Sequence, residues 1–224
     1  MAPQGRTLIL SDGGLTSLLA AAIVGDEDGR RARDRDVSAE RSLLWACGTS
    51  GDLDPVCAQA AAQHAQIFSL EYVPPIEFGG AAAAILGLRG EVETMTLVRA
   101  CYLAAARGAR RVLWPVQLPR TGGRDGDLDQ MSRAIDRALL VSRLVSIDEA
   151  DIGVPEVTIE TPFVDLDDDQ ISDLALDMEL PIEACWWSGG YGQAPGSARE
   201  RERWLPLLGG ESLATNPSGR TASV

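Results

Sequence analysis

Ser11, Asp12, Gly13, Gly14, Thr16 and Ser17 stand together where the apolar run Thr7-Leu8-Ile9-Leu10 ends and an alanine- and leucine-rich stretch begins. Two adjacent glycines let a backbone turn tightly and approach a ligand closely. The first N–H groups of a following helix, at the positive end of its dipole, favour an anion. The chemistry that such a turn supports is phosphate binding. A Gly-Gly turn between a first strand and a first helix is also ordinary architecture in any α/β protein, and the segment alone is compatible with both readings.

Other reactive side chains are few. The chain has no lysine, and His64 and Asn216 are its only histidine and asparagine. A lysine-dependent phosphate loop and Schiff-base chemistry are thereby excluded, and only His64 could serve a Ser-His-Asp or Cys-His site. His64 lies near the C-terminal end of an alanine- and glutamine-rich helical stretch, where the dipole favours an imidazolium, so a capping or surface role is expected. Cys47, Cys57, Cys101 and Cys185 are scattered through apolar segments without Cys-x-x-Cys spacing and read as buried free thiols. In Pro119-Arg120-Thr121-Gly122-Gly123-Arg124, Arg120 and Arg124 are candidate mobile contacts to a bound anion, with arginines facing water as the alternative. Trp186 and Trp187 suit stacking on a flat ring, or packing in a core. Asp165, Asp167, Asp168 and Asp169 crowd the start of a helix, where capping and the dipole stabilise carboxylates.

The elements that must position these groups alternate. Strands are expected over residues 7–10, 43–46, 67–72, 111–116 and 157–161, and helices over 16–24, 55–64, 92–107, 128–145 and 168–178. Pro55 behind Asp54 reads as the first residue of a capped helix. Strand and helix in alternation predict an α/β fold, a doubly wound, Rossmann-like parallel sheet with right-handed crossovers. Ligands bind such sheets at the carboxyl ends of the strands, beside the switch in strand order, and the Gly13-Gly14 turn belongs there. The mixed-charge stretch 25–41 has almost nothing to bury and is expected to be a mobile surface loop, as is 119–127. The alanine-rich residues 78–87 are read as a subunit contact or a lid, and 209–224 as a disordered tail.

With 224 residues, 45% of them hydrophobic, the chain can bury one full α/β core. A formal charge of −13 argues against a general affinity for nucleic acid or an anionic membrane surface. No apolar run approaches the roughly 20 residues that span a bilayer, and no secretory leader pattern is evident, so a cytoplasmic location is expected.

The turn after the first strand resembles the Ser-Gly-Gly-x-Asp-Ser motif of the PP-loop ATP pyrophosphatases, in the adenine nucleotide alpha hydrolase type of fold. Gly13, Gly14, Leu15 and Ser17 match it. Thr16 stands where the family has its Asp, and Asp12 where it has its first Ser, unless Ser11 fills that role. The resemblance implies an ATP site around Ser11, Asp12, Gly13, Gly14, Thr16 and Ser17. Asp12 is then the candidate for the magnesium role lost at Thr16.

A second match narrows the family. Thr161-Pro162-Phe163-Val164-Asp165-Leu166, followed by Leu180-Pro181-Ile182-Glu183-Ala184-Cys185-Trp186, resembles the late region of the 7-cyano-7-deazaguanine synthase (QueC) family, and the two matches together cover about residues 6–204. This resemblance implies that Asp165 faces the active site from a strand end and that Trp186 and Trp187 lie near a deazaguanine-type substrate. It also implies a homodimer, and Cys47-Gly48 stands where the family has a nucleotide-contacting Tyr-Gly. Two more departures, beside that at Cys47-Gly48, mark a diverged relative. The family has four zinc cysteines after its Trp, whereas no cysteine follows Trp186 and Cys185 aligns with the family's Thr rather than with a ligand, so no zinc is expected; Arg89-Gly90-Glu91 replaces Pro-Gly-Arg-Asn ahead of the long middle helix.

The expected organisation is a nucleotide-binding domain over 1–180, a small C-terminal helical appendage over 181–208 and the tail. The expected function is ATP binding with Mg²⁺ and adenylation of a carboxylate or carbonyl small-molecule substrate, with release of pyrophosphate. The alternative is a degenerate nucleotide-binding or protein-partner module without turnover. A sulfur-transfer enzyme using Cys47 or Cys185 is weaker, because no thiol pair is placed for a relay.

Overall fold

Leu8 and Leu10 point to one side of the first strand and Ile9 to the other, and both sets are buried, which is the signature of a strand covered by helices on both faces. The computed structural model describes residues 5–35, 40–47, 55–76, 88–118, 124–152, 156–188, 194 and 196–209. Five strands, β1 (Arg6–Ser11), β2 (Leu43–Ala46), β3 (Glu71–Val73), β4 (Ala109–Leu113) and β5 (Thr158–Glu160), form one sheet in the order β3-β2-β1-β4-β5. Every pairing is parallel. The fold is a doubly wound, Rossmann-like α/β sheet, with the switch in strand order between β1 and β4.

Helices α1 (Leu15–Arg35), α2 (Pro55–Ile67) and α5 (Asp168–Asp177) pack on the face that carries Ile9, Leu44 and Leu113. Helices α3 (Arg89–Ala106) and α4 (Arg124–Ile152) pack on the face that carries Leu8, Leu10, Trp45 and Val112. A 3₁₀ turn (Ile182–Ala184) and α6 (Ser197–Trp204) complete the first face, with Trp187 and Trp204 in its core. No helix among the described residues is long and apolar enough to cross a membrane.

The strand and helix order expected from sequence is observed, with three corrections. The stretch 25–41, expected as a mobile loop, is helical through Arg35. Gly25 lets α1 lie against Phe68, and ion pairs Arg30–Asp26 and Arg31–Asp28 support the turns that follow. Asp28 also accepts from the Ser42 N–H at 2.7 Å, and Glu27 pairs with Arg111, so the charged half of α1 is tied to the sheet. Residues 67–70, expected as strand, instead close α2. Ser69 takes a left-handed φ of 57°, with bonds from Ser69 N–H to Gln66 O and from Leu70 N–H to Ala65 O, so the chain makes a helix-ending turn before β3. Helix α4 begins at Arg124, inside the expected loop, and runs well past residue 145; residues 119–123, like 78–87 and 210–224, lie outside the described set.

Candidate functional site

At the carboxyl end of β1 the chain must turn from the sheet into α1, and side chains of the turn itself hold it. The Ser11 hydroxyl accepts from the Gly13 N–H at 3.2 Å. The Asp12 carboxylate Oδ1 accepts from the Gly14 N–H at 2.9 Å and from the Ser17 hydroxyl at 2.8 Å, while the Asp12 N–H donates to Ser17 Oγ at 3.2 Å. Gly13 has a φ of 75°, and a Cβ there would lie 2.6 Å from the Cys57 carbonyl oxygen, so only glycine fits. The turn is braced from outside as well. Trp186 N–H donates to the Gly13 carbonyl at 3.1 Å, and Cys47 N–H to the Ser11 carbonyl at 2.8 Å.

This turn forms one wall of a cavity of about 600 Å³ over the β1/β4 switch, a volume in the range of small-ligand sites. Ser11, Asp12, Gly14, Thr16, Ser17, Cys47 and Trp186 all line it. The sequence-derived candidates are thus largely brought together. Gly13 contributes shape and its carbonyl rather than lining. Gly48 and Arg120 lie outside the described residues, and Arg124 sits in the first turn of a helix rather than in a loop.

Two candidates are placed elsewhere. Asp165 is exposed, in the turn between β5 and α5, and is not among the residues lining the cavity. Trp187 is fully buried in the core behind the turn and does not line the cavity, whereas Trp186, partly buried against the same core, does. His64 is corrected too. It is wholly buried, and its ring Nε2 meets the Ala184 carbonyl at 3.1 Å, with no partner for Nδ1 among the described residues. Burial pushes its pKa down from 6.5 to about 4, so the ring is neutral and donates from Nε2.

The opposite kind of surprise comes from α6 and α3. Arg199, Glu200, Arg203 and Trp204 of α6, and Arg89 and Glu93 of α3, line the same cavity. Arg203 grips Asp168 with two bonds, Nε to Oδ2 at 2.8 Å and Nη2 to Oδ1 at 2.6 Å, also bonds Gln117, and lies 4.3 Å over the Trp204 ring. The guanidinium hydrogen bonds hold the Asp168 carboxyl below its ordinary range. Glu93, almost fully buried, bridges Arg89 and Arg137. Arg199 has no hydrogen-bond or ion-pair partner among the described residues, which leaves its guanidinium available to a ligand. No signal in the sequence pointed to α6, whose residues reach the site only through the tertiary fold.

The cavity therefore offers three arginines and three carboxylates, aromatic surface from Trp114, Trp186 and Trp204, and the amino end of α1. Residues 15–17 are the first of that helix, and their N–H groups have no carbonyl of the helix to bond. The Cys47 thiol, buried and beside the Asp12 charge, is pushed up to about 12, and Cys185 is pushed well above its ordinary value by burial. Both are protonated and poor nucleophiles. Among the described residues no group of three or more His, Cys, Asp or Glu is placed to hold a metal by protein ligands alone. In comparisons with known proteins, no family model matches the chain and no curated protein matches it.

Proposed function

We propose that this protein is a PP-loop nucleotide-binding protein of the 7-cyano-7-deazaguanine synthase (QueC) type, which binds ATP in the cavity over the β1/β4 switch. The observation that carries the reading is the coincidence of that cavity with the Ser11–Ser17 turn and the amino end of α1, where a phosphate chain is electrostatically favoured. Arg199 and Arg203 are the cationic side chains for the phosphates, and Trp186 offers a flat face for a purine ring. Mg²⁺ that arrives with phosphates needs only one or two protein carboxylates, and Asp12 is the residue that would hold it. When bound, the ion would supply charge neutralisation. With it, the site suits adenylation of a carboxylate or carbonyl substrate, a reaction that asks mainly for positioning and charge stabilisation.

A specific observation favours a second reading, a nucleotide-binding module without turnover. The Asp12 carboxylate already takes the Gly14 N–H and the Ser17 hydroxyl, donors that a phosphate would use. An anion entering the turn must displace it or approach through a cation. Titration calorimetry with ATP, with and without Mg²⁺, followed by assay of pyrophosphate and AMP, separates the readings. Mg²⁺-dependent binding that Asp12→Ala abolishes, with slow pyrophosphate release, supports the adenylating enzyme. Binding without release supports the module, and no binding up to millimolar ATP overturns both.

A further inference from the structure

Beside the main cavity lies a smaller one of about 170 Å³, between the start of α3 and the first half of α4. It is below the size that takes a whole small ligand, and it shares Arg89, Glu93, Trp114 and Val116 with the main cavity. It is therefore an annex of that space, suited to one end of a molecule. The two differ in charge. The main cavity has as many carboxylates as arginines, whereas the annex sets Arg89, Arg133 and Arg137 against Glu93 alone, in a chain of net charge −13. The annex is thus a local concentration of positive charge on an acidic protein.

Its polar groups are held in place from both helices. On α4, Gln130, Arg133 and Arg137 recur at i, i+3 and i+7, which is one helical face. On α3, the almost fully buried Glu93 accepts from Arg89 Nε at 2.7 Å and pairs with Arg137, so one internal carboxylate orients two guanidiniums. Gly90 leaves the space that Arg137 Nη2 fills, since a Cβ there would lie 2.8 Å from it. Other donors have no acceptor in the protein. Arg133 and the Gln130 amide make no hydrogen bond or ion pair among the described residues, and neither terminal nitrogen of Arg89 bonds anything there. Paired N–H groups of a planar guanidinium match two oxygens of a phosphoryl or carboxylate group. We infer that the annex binds an oxyanionic group that the acceptor substrate carries away from its reacting end. Naming the acceptor rests on the proposed nucleotide site, where the ATP phosphates are assigned to the Ser11–Ser17 turn; the oxyanion subsite rests on the annex alone.

Side-chain NMR of the full chain tests this, with arginine Nε–H and glutamine amide signals followed as inorganic phosphate or acetate is added, against chloride at matched ionic strength. Saturable shifts at Arg89, Arg133 and Gln130 are expected, and the anion that saturates at the lower concentration identifies the group as phosphoryl or carboxylate. Arg133→Gln, at an exposed position, should weaken phosphate about 10-fold with an unchanged circular dichroism spectrum and unchanged ATP affinity. Shifts that chloride reproduces, or that Arg133→Gln leaves as they were, overturn the inference even where ATP binds. Saturating ATP with Mg²⁺ should leave phosphate in the annex. Its displacement by ATP would mean that the annex holds the nucleotide's own phosphates, and overturns the assignment to the acceptor. Phosphate binding at these residues in a protein that binds no ATP would sink the nucleotide reading and leave the oxyanion subsite standing.

Discussion

The β1–α1 turn and the α6 wall line one cavity but are held by opposite means. The turn is defined within seven residues, by a left-handed glycine and by side chains that bond the neighbouring backbone. The α6 wall is defined by charge across the fold, with Arg203 joined to Asp168, 35 residues away, and to Gln117, 86 residues away. The difference teaches where each wall is vulnerable. A local turn fails by shape, whereas a long-range wall fails by charge.

The sharpest way to break the comparison is Gly13→Ala. The methyl would meet the Cys57 carbonyl at 2.6 Å and Ala60 Cβ at 2.9 Å, on a backbone that disfavours it, and the loss should be about 3 to 5 kcal/mol by urea unfolding. Gly14→Ala serves as its control, because its methyl would be tight only against Asp12 Oδ1 at 3.1 Å, with Trp186 Nε1 at an ordinary 3.6 Å, and about 1 kcal/mol or less is expected. Equal stability of the two variants would mean that shape does not define the turn.

His64 tests how the walls are joined, since its bond to Ala184 steadies the segment whose Trp186 holds Gly13. Its folded pKa of about 4 lies below the 6.5 of the unfolded chain. Between those values the unfolded state takes up a proton that the native ring refuses, so stability falls as pH drops from 6.5 to 4, by on the order of 3 kcal/mol. His64→Gln should flatten that window. Asp168 acts further down, because its depressed pKa contributes stability above the ordinary carboxylate value, lost as pH falls through the folded value. A stability profile level from pH 7 to 4 would contradict the burial of His64.

Arg203→Ala should have a smaller effect on stability, about 1 kcal/mol, with a roughly 10-fold loss of ATP affinity by calorimetry. Arg199→Ala completes the series, with unchanged stability and only a few-fold weaker binding. If the two arginines proved interchangeable, the wiring of Arg203 to Asp168 would have no bearing on the ligand.

How much was legible in sequence follows the same division. The alternation of strands and helices along the chain could be anticipated because buried parallel strands are short apolar runs, and the turn because only particular residues can make it. Ser11, Asp12, Gly14, Thr16, Ser17, Cys47 and Trp186 were accordingly placed together. The second half of α1 was misread because Gly25, Gly29 and dense charge resemble a solvated loop; its helix depends on Phe68, Ser42 and Arg111, partners distant in the chain. His64 was misplaced for the same reason, with its acceptor 120 residues away. Arg199 and Arg203 were missed because a short charged helix carries no sign of which surface it will meet.

The bond from Trp186 to Gly13 also carries a meaning for synthesis. At ~5–20 residues per second, the turn at Gly13 leaves the ribosome roughly 10 to 35 seconds before Trp186 and the α6 arginines exist to meet it. The sheet can assemble meanwhile, but the cavity cannot. Nascent chains should therefore acquire ligand competence late and abruptly, and proteolytic loss of the α6 segment would return the protein to that earlier, open condition with its sheet intact.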